Sequence, residues 1–282
     1  MRKHRGLLRY AGAMASPAPA DDALADDLSL ALRLADAADA ESMPRFDSVD
    51  LDVALKPDRS HVTEADLASE RAIRNLIEAE RPGDAIFGEE YGSSAPASRR
   101  WILDPIDGTA NYLRGVPAWG TMIALEIDGI IRLGVVSMPA MSRRWWAAEG
   151  LGAWTVAHGS PRRIGVSSVE SFDEASLSFQ SIAQWRDAGR LDALLDLQER
   201  VWRDRAYGDV WSYMLLAEGR LEIVAEFDVK EYDVAAAAAI VREAGGRFTS
   251  FEGSDSLDTL SALATNGLLH DDVLRLFHGD PT

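Results

Sequence analysis

The sequence predicts a fold that is α+β in its first half and α/β in its second. Three observations carry that expectation. Apolar runs flank Asp128-Gly129, a strong signal for an antiparallel hairpin. Strand-like and helix-like segments alternate after about residue 160. Leu24, Leu28, Leu30, Ala31, Leu34 and Ala35 recur at near-helical spacing.

In chain order, residues 22 to 43 read as a helix whose acidic first turn suits the helix dipole. "LDVAL" (51–55) reads as a strand and "KPDRSHV" as a polar loop. Thr63 opens a second helix, with Asp66 three residues on as the acidic member of a capping box. Pro82-Gly83 ends that helix. "AIFGEE" is a short strand running into Glu89 and Glu90. "WILD" is a strand that places Asp104 at its end, where Pro105 opposes continuation. "GTMIALEI" and "IIRLGVVSM" form the hairpin, and "RRWWAAEG" and "GAWTV" extend it. Beyond, "ASLSF", a helix over 187–199, "WSYMLLAEG" and "LEIVAEF" alternate strand and helix. "YDVAAAAAIVREAGGRF" is a helix closed by a double glycine, "LSALATN" a strand and the last dozen residues a helix. The expected division is a tail over 1–21, an α+β domain over 22–160 and an α/β domain over 161–282 that completes the site.

Composition narrows the function. Hydrophobic content of 47% and charged content of 27% are ordinary for a soluble globular chain. No apolar run approaches the roughly 18 residues of a membrane span. The basic, then Ala/Ser/Pro-rich, start is too interrupted for a secretory signal. It reads as a flexible tail, or as an upstream start with Met14 the alternative. There is no cysteine, which excludes disulfides, zinc–thiolate sites and cysteine nucleophiles and fits a cytoplasmic protein. A net charge of −17 argues against nucleic acid and anionic membranes as partners. His4, His61, His158, His270 and His278 show no paired ligand spacing, and neither Gly-rich nucleotide loop occurs.

What remains is carboxylate chemistry. "WILDPIDGT" puts Asp104 and Asp107 at a strand end, followed by Gly108, which permits close backbone approach to a ligand. A helix starting there would aim free N–H groups at an anion. A capped turn would explain Asp107 and Gly108, but explains Asp104 less well. Glu89 and Glu90 read as a solvated pair or as ligands, and Asp233 as a helix cap or as a ligand. Together they offer oxygen donors from three separated loops, which suits Mg²⁺. The chemistry indicated is metal-activated water attacking an anionic ester.

Glu89-Glu90 after "FG", "DPIDGT" and "YDVAA" resemble, in order and separation, the three signatures of the inositol monophosphatase family, over about residues 22 to 280. The resemblance implies a layered αβαβα sandwich, two or three Mg²⁺ ions per active site and a homodimer. It implies metal binding by Glu89, Asp104, the Ile106 carbonyl, Asp107 and Asp233. Thr109 and Glu89 would orient the attacking water, with Asp66 supporting the threonine. The Gly108 and Thr109 amides would hold phosphate, and Lys56 would approach on a mobile loop. Tyr232 departs from the tryptophan of many members. A haloacid-dehalogenase-like phosphatase is a rival, but its two motif aspartates are separated by one residue rather than two. A catalytically silent metal-binding protein on the same fold is a second rival.

"GVPAWGTMIAL" and "RAYGDVWSYMLLAEG" resemble the branch of the family that acts on histidinol phosphate more than its inositol branch. The expected substrate is a small-molecule phosphate monoester, L-histidinol phosphate, with inositol phosphate next. Asp209 or Glu226 would pair with the ammonium group. Glu226 lies seven residues before Asp233, as does a substrate-contacting glutamate in the family, and Asp233 closes that side of the pocket. Trp119 would pack on the ring or carbon chain, or be plain core. Asp209 also reads as a helix cap, and Arg205 is a weaker phosphate candidate.

Overall fold

The computed structural model describes residues 22–48, 50–56 and 61–278. The segment read above as a tail lies outside them. Helix α1 (Asp22–Ser42) forms because Leu24, Leu30, Ala31, Leu34, Ala35 and Ala38 share one buried face. β1 (Val53–Leu55) and β2 (His61–Thr63) pair antiparallel. His61–Thr63 thus belongs to a strand where a polar loop was expected; pairing with Val53–Leu55 supplies backbone partners that local propensity did not signal. α2 (Glu64–Glu80) starts at the expected capping box. Thr63 Oγ1 accepts from the Ala65 and Asp66 amides at 3.1 and 3.4 Å, and Asp66 Oδ2 accepts from the Thr63 amide at 2.8 Å.

The large sheet contains β3 (Ala85–Gly88), β4 (Gly92–Ser93), β5 (Arg99–Asp107), β6 (Gly120–Ile127), β7 (Ile130–Met138), β8 (Arg143–Ala148), β9 (Gly152–Val156) and β10 (Arg162–Arg163). Its order is β10-β9-β8-β7-β6-β5-β3-β4, antiparallel except for the β3–β5 pair. The Asp128-Gly129 turn has φ of 52° and 80°, as the hairpin signal requires. β5 does not end at Asp104. Asp104 faces Met122 and Asp107 faces Gly120, so Pro105 and Ile106 together oppose Thr121 in a bulge. A bulge tolerates proline because the ladder asks no N–H of the extra residue. The Pro105 carbonyl accepts instead from Thr121 Oγ1 at 2.8 Å. α3 (Thr109–Leu113) follows at once.

The smaller sheet has the order β12-β11-β13-β15-β14. Its strands are β11 (Ser176–Ser178), β12 (Arg203–Asp204), β13 (Ile223–Phe227), β14 (Arg247–Thr249) and β15 (Ser261–Thr265). β11 runs parallel to β12 and β13. The remaining helices are α4 (Ile182–Asp187), α5 (Leu191–Arg200), α6 (Asp209–Ala217), α7 (Glu231–Glu243) and α8 (His270–His278). The helix expected over 187–199 is α5, and α4, which precedes it, was not expected; the two are divided where Gly189 takes φ 69°.

The layers follow from which apolar faces meet. Leu30, Leu34, Ile73 and Ile77 pack on Trp101, Leu103 and Ile123 of the large sheet. On its other face, Ile102, Met122 and Val136 meet Met214, Val234 and Ile240 of α6 and α7, which also contact Val224 and Ala264 of the smaller sheet. Leu194, Trp185 and Phe277 cover that sheet's outer face with Leu177 and Ile223. The result is the αβαβα order. The middle layer is thin: a Cβ on Gly134 would lie 2.4 Å from the Ala236 carbonyl oxygen, so α7 seats on β7 backbone to backbone. No helix among the described residues is long and apolar enough to cross a membrane.

Candidate active site

A cavity of about 140 Å³ opens between the two sheets, at the bulged end of β5 and the N-terminal ends of α6 and α7. The bulge sets two carboxylates side by side. Asp104 is nearly fully buried, and its Oδ1 accepts from the Ile106 amide at 3.0 Å. Asp107 Oδ2 accepts from the Val210 amide at 2.6 Å, tying β5 to α6. Asp233 lies in the first turn of α7, its Oδ2 held at 2.7 Å by the Lys230 amide. One oxygen from each of these three aspartates lies within 4.8 Å of the others.

Burial drives their charge upward in energy. Asp104 and Asp107 are held well above the usual carboxylate range by desolvation and then by neighbouring carboxylates. Asp233 is pushed to about 7, chiefly by burial. Acids this crowded either share protons or face a cation. Oxygen-only donors from two chain segments, β5 and α7, fit a hard divalent ion.

Glu89 follows β3, with its amide donating to the Leu103 carbonyl at 3.1 Å. Lys56 Nζ donates at 2.7 Å to both Glu89 Oε1 and Glu90 Oε1. Burial disfavours the Lys56 charge, but these two glutamates outweigh it and hold the ammonium above its ordinary value. Glu90 is pushed up to about 7 by burial. The turn itself is held by a residue that sequence reading missed. Glu70 is fully buried, and its carboxylate accepts from the Glu90 amide at 2.7 Å, the Tyr91 amide at 3.2 Å and Arg74 Nε at 2.7 Å. Only a glycine fits at 88, because a Cβ there would sit 2.0 Å from Glu70 Oε1. The sequence shows only its helical pairing with Arg74; the Glu90 and Tyr91 amides that it holds lie about twenty residues away.

Thr109 Oγ1 donates to the Ile106 carbonyl at 3.1 Å and lies 3.5 Å from Asp66 Oδ1. Asp66 is buried, which pushes it to about 6. Gly108 caps α3 in the left-handed region (φ 84°), with Ala118 O and the Asp209 carboxylate 3.2 and 3.3 Å from where its Cβ would be. α3 has five residues, so anion binding here rests on individual N–H groups rather than on a long helix dipole.

Beside Asp107 and Gly108, Asp209 lines the cavity with φ 50° and accepts from Asn111 Nδ2 at 2.7 Å. Burial pushes it to about 6. Glu226 is buried and accepts from the Tyr213 hydroxyl at 2.9 Å, while its Oε1 has no partner. Burial pushes it up to about 8. Four candidates do not line the cavity: Asp66 and Lys56 contact its lining residues Thr109 and Glu89, whereas Trp119 and Arg205 do not. Trp119 is fully buried against Phe46, Tyr112 and Ile106, so its role is core packing and not the substrate wall. Arg205 is exposed, and its guanidinium bonds the Asp204 carbonyl at 2.5 Å rather than reaching a phosphate site. Gln180, Tyr213 and Asp228 line the cavity and were not singled out in the sequence. A larger cavity of about 490 Å³ beside the β6–β7 turn holds none of the clustered aspartates.

Residues 24–280 match the sequence profile of the inositol monophosphatase family. The chain belongs to that family. Among curated relatives it is 51% identical to a histidinol-phosphatase of Mycobacterium tuberculosis, over 88% of this chain and 96% of that one. It is 49% identical to a histidinol-phosphatase of Streptomyces coelicolor over the same shares. Among solved structures it resembles an inositol monophosphatase from Zymomonas mobilis, with TM-score 0.79 and 33% identity over 91% of this chain and 99% of that one. As a member of the inositol monophosphatase family, a metal-dependent one, it is a phosphoric monoester hydrolase with the family's layered fold.

Proposed function

We propose that this hydrolase cleaves L-histidinol phosphate to L-histidinol and phosphate, the reaction of a step in histidine biosynthesis. The observation that carries this reading is Glu226, buried and with an unpartnered oxygen, in the same cavity that gathers Asp104, Asp107 and Asp233. The three aspartates suit a phosphate with its cations, and the spare Glu226 oxygen suits an ammonium group. The names carried by the two relatives at about half identity point the same way.

On this proposal Glu89, Asp104, the Ile106 carbonyl, Asp107 and Asp233 hold Mg²⁺, two or three ions per site. When bound, such ions polarise phosphoryl oxygens and lower the pKa of water. The chain's own groups do the rest. Thr109 Oγ1, between the Ile106 carbonyl and Asp66, fixes a hydroxyl beside Glu89 to orient the attacking water. The Gly108 and Thr109 amides receive phosphate oxygens. Lys56 pairs with Glu89 and Glu90 and would give up Glu89 if that carboxylate held a cation. Asp209 and Glu226 face the amine. A cytoplasmic homodimer completes the reading.

Inositol phosphate is the second reading, favoured by the likeness to the Zymomonas mobilis structure. A neutral polyol offers Glu226 no counter-charge, so its carboxyl, raised to about 8 by burial, stays protonated and the site gains no ion pair. A phosphate-release panel over histidinol, inositol, fructose and nucleotide phosphates with Mg²⁺ tests the choice. Inositol phosphate turned over at least as efficiently as histidinol phosphate would sink the substrate while leaving the hydrolase.

A further inference from the structure

Gln180 sits just beyond β11, at the carboxyl end of a strand that runs parallel to β13. Asp228 occupies the matching place just beyond β13. Both line the cavity, on the smaller sheet's side and across from the large-sheet aspartates Asp104 and Asp107. Ligands in sheets with parallel strands collect at such carboxyl ends.

Two further observations single out Gln180. Its side-chain Oε1 is shielded from solvent and has no hydrogen-bond partner, as is also true of Glu226 Oε1. A buried acceptor left unmatched is costly, and a native site keeps one when a ligand completes it. Its backbone is also in the left-handed region, at φ 54°. Asp209 and Asp228, which line the same cavity, are left-handed too, at φ 50° and 58°. Aspartate tolerates that conformation through local hydrogen bonds; glutamine has no such excuse. Backbone strain of this kind gathers where a side chain must be aimed at a ligand.

We infer that Gln180 is a specificity-determining residue whose side-chain carbonyl accepts a hydrogen bond from the ammonium group of the leaving alcohol. This rests on the L-histidinol phosphate reading above. The ammonium has three N–H donors. Glu226 Oε1 takes one as a charge partner, and Gln180 Oε1 takes another from a neighbouring wall. A neutral carbonyl adds direction without adding a further negative charge to a cavity already crowded with carboxylates. A polyol hydroxyl can also donate, but a hydrogen bond from an ammonium is the stronger.

The test crosses enzyme variants with substrates that differ only in the amine. Full-length protein with Mg²⁺ is assayed on L-histidinol phosphate, on the analogue lacking the amino group, and on p-nitrophenyl phosphate. Gln180→Leu is expected to lower kcat/KM for L-histidinol phosphate about 10- to 100-fold, mostly through KM. It should leave the amine-free analogue and the aryl phosphate within about threefold of the unaltered enzyme. Gln180→Glu keeps an acceptor and should restore preference for the amine. Equal losses of Gln180→Leu on all three substrates, or no loss on any, would overturn the contact. Failure of Gln180→Glu to restore the preference would do the same. If the unaltered enzyme does not hydrolyse L-histidinol phosphate, the substrate reading falls and the amine contact falls with it. If it does, and Gln180→Leu keeps the unaltered enzyme's full preference for the amine-bearing substrate, only the contact falls.

Discussion

Two buried carboxylates, Glu218 just after α6 and Glu226 within β13, are treated oppositely. Glu218 is almost fully buried but receives Trp145 Nε1 at 2.8 Å, Arg162 at 2.5 Å, Arg220 at 3.1 Å and Arg143. Burial alone would raise its carboxyl; the indole and the arginines outweigh it and hold it below the usual range. Glu226 has a tyrosine hydroxyl on one oxygen and nothing on the other, and burial leaves it at about 8. The fold can therefore satisfy a buried acid when the acid serves the fold. In the cavity, by contrast, it leaves Glu226 short of a partner.

The sharpest way to break this contrast is to remove charge on each side. Asp107→Asn should lower kcat by at least about a thousandfold, roughly 4 kcal/mol of transition-state stabilisation. The melting temperature in chelator should hold or rise, because a source of repulsion is gone. A large loss of stability without metal would place Asp107 with Glu218 instead. Glu218→Ala should do the converse and cost about 3 kcal/mol of stability, by stranding the Trp145 N–H and three partly exposed arginines. Denaturant melts measure the loss, and kcat per folded molecule should not change.

Gly88→Ala sharpens the comparison from between the two kinds. It pushes on Glu70, an acid satisfied like Glu218 but supporting the cavity wall, and should cost about 2 kcal/mol by overpacking. It should also weaken Mg²⁺ activation, because the Glu89–Tyr91 turn hangs from Glu70. An Mg²⁺ titration that matches the unaltered enzyme would show that Glu70 serves the fold alone.

The smallest effect is a matter of pH. Asp66 and Asp209 at about 6, Asp233 and Glu90 at about 7 and Glu226 at about 8 all lie above their ordinary values of 3.8 to 4.5. The folded protein thus binds more protons than the unfolded chain across roughly pH 4 to 8. Stability in chelator is full at the acid end of that window and is lost as pH rises through the folded values. A fall in melting temperature on the order of 5 °C between pH 5.5 and 8 is expected. Saturating Mg²⁺ should flatten it, whereas a rise toward pH 8 in chelator would reverse the picture.

Much of this was legible in the sequence because the signals are local. Asp104, Asp107, Thr109 and Asp233 declare themselves by neighbours two to five positions away, as does the Thr63–Asp66 capping box. The β5 bulge was not legible. Pro105 argued for a break, and the residue that accommodates it, Thr121, lies 16 positions on. Trp119 had two readings that are identical as sequence, and only its burial with Phe46 and Tyr112 separates them. Glu226 was reached only through its spacing from Asp233, and Gln180, set apart by a bond it lacks, was not reached, since a missing bond leaves no trace in a string of letters.

The seating of α7 on Gly134 carries a consequence for alignment. Ala236, whose carbonyl meets Gly134, is one turn along from Asp233. With backbone against backbone there is no side chain to act as a compressible shim. The depth at which the helix beds into the sheet is transmitted undamped to the aspartate. Metal–ligand distances are held to about 0.2 Å, a tolerance finer than a single methyl group inserted under the helix. A residue with no side chain, a helix turn from the cavity, thus works as the datum surface from which one wall of the active site is measured.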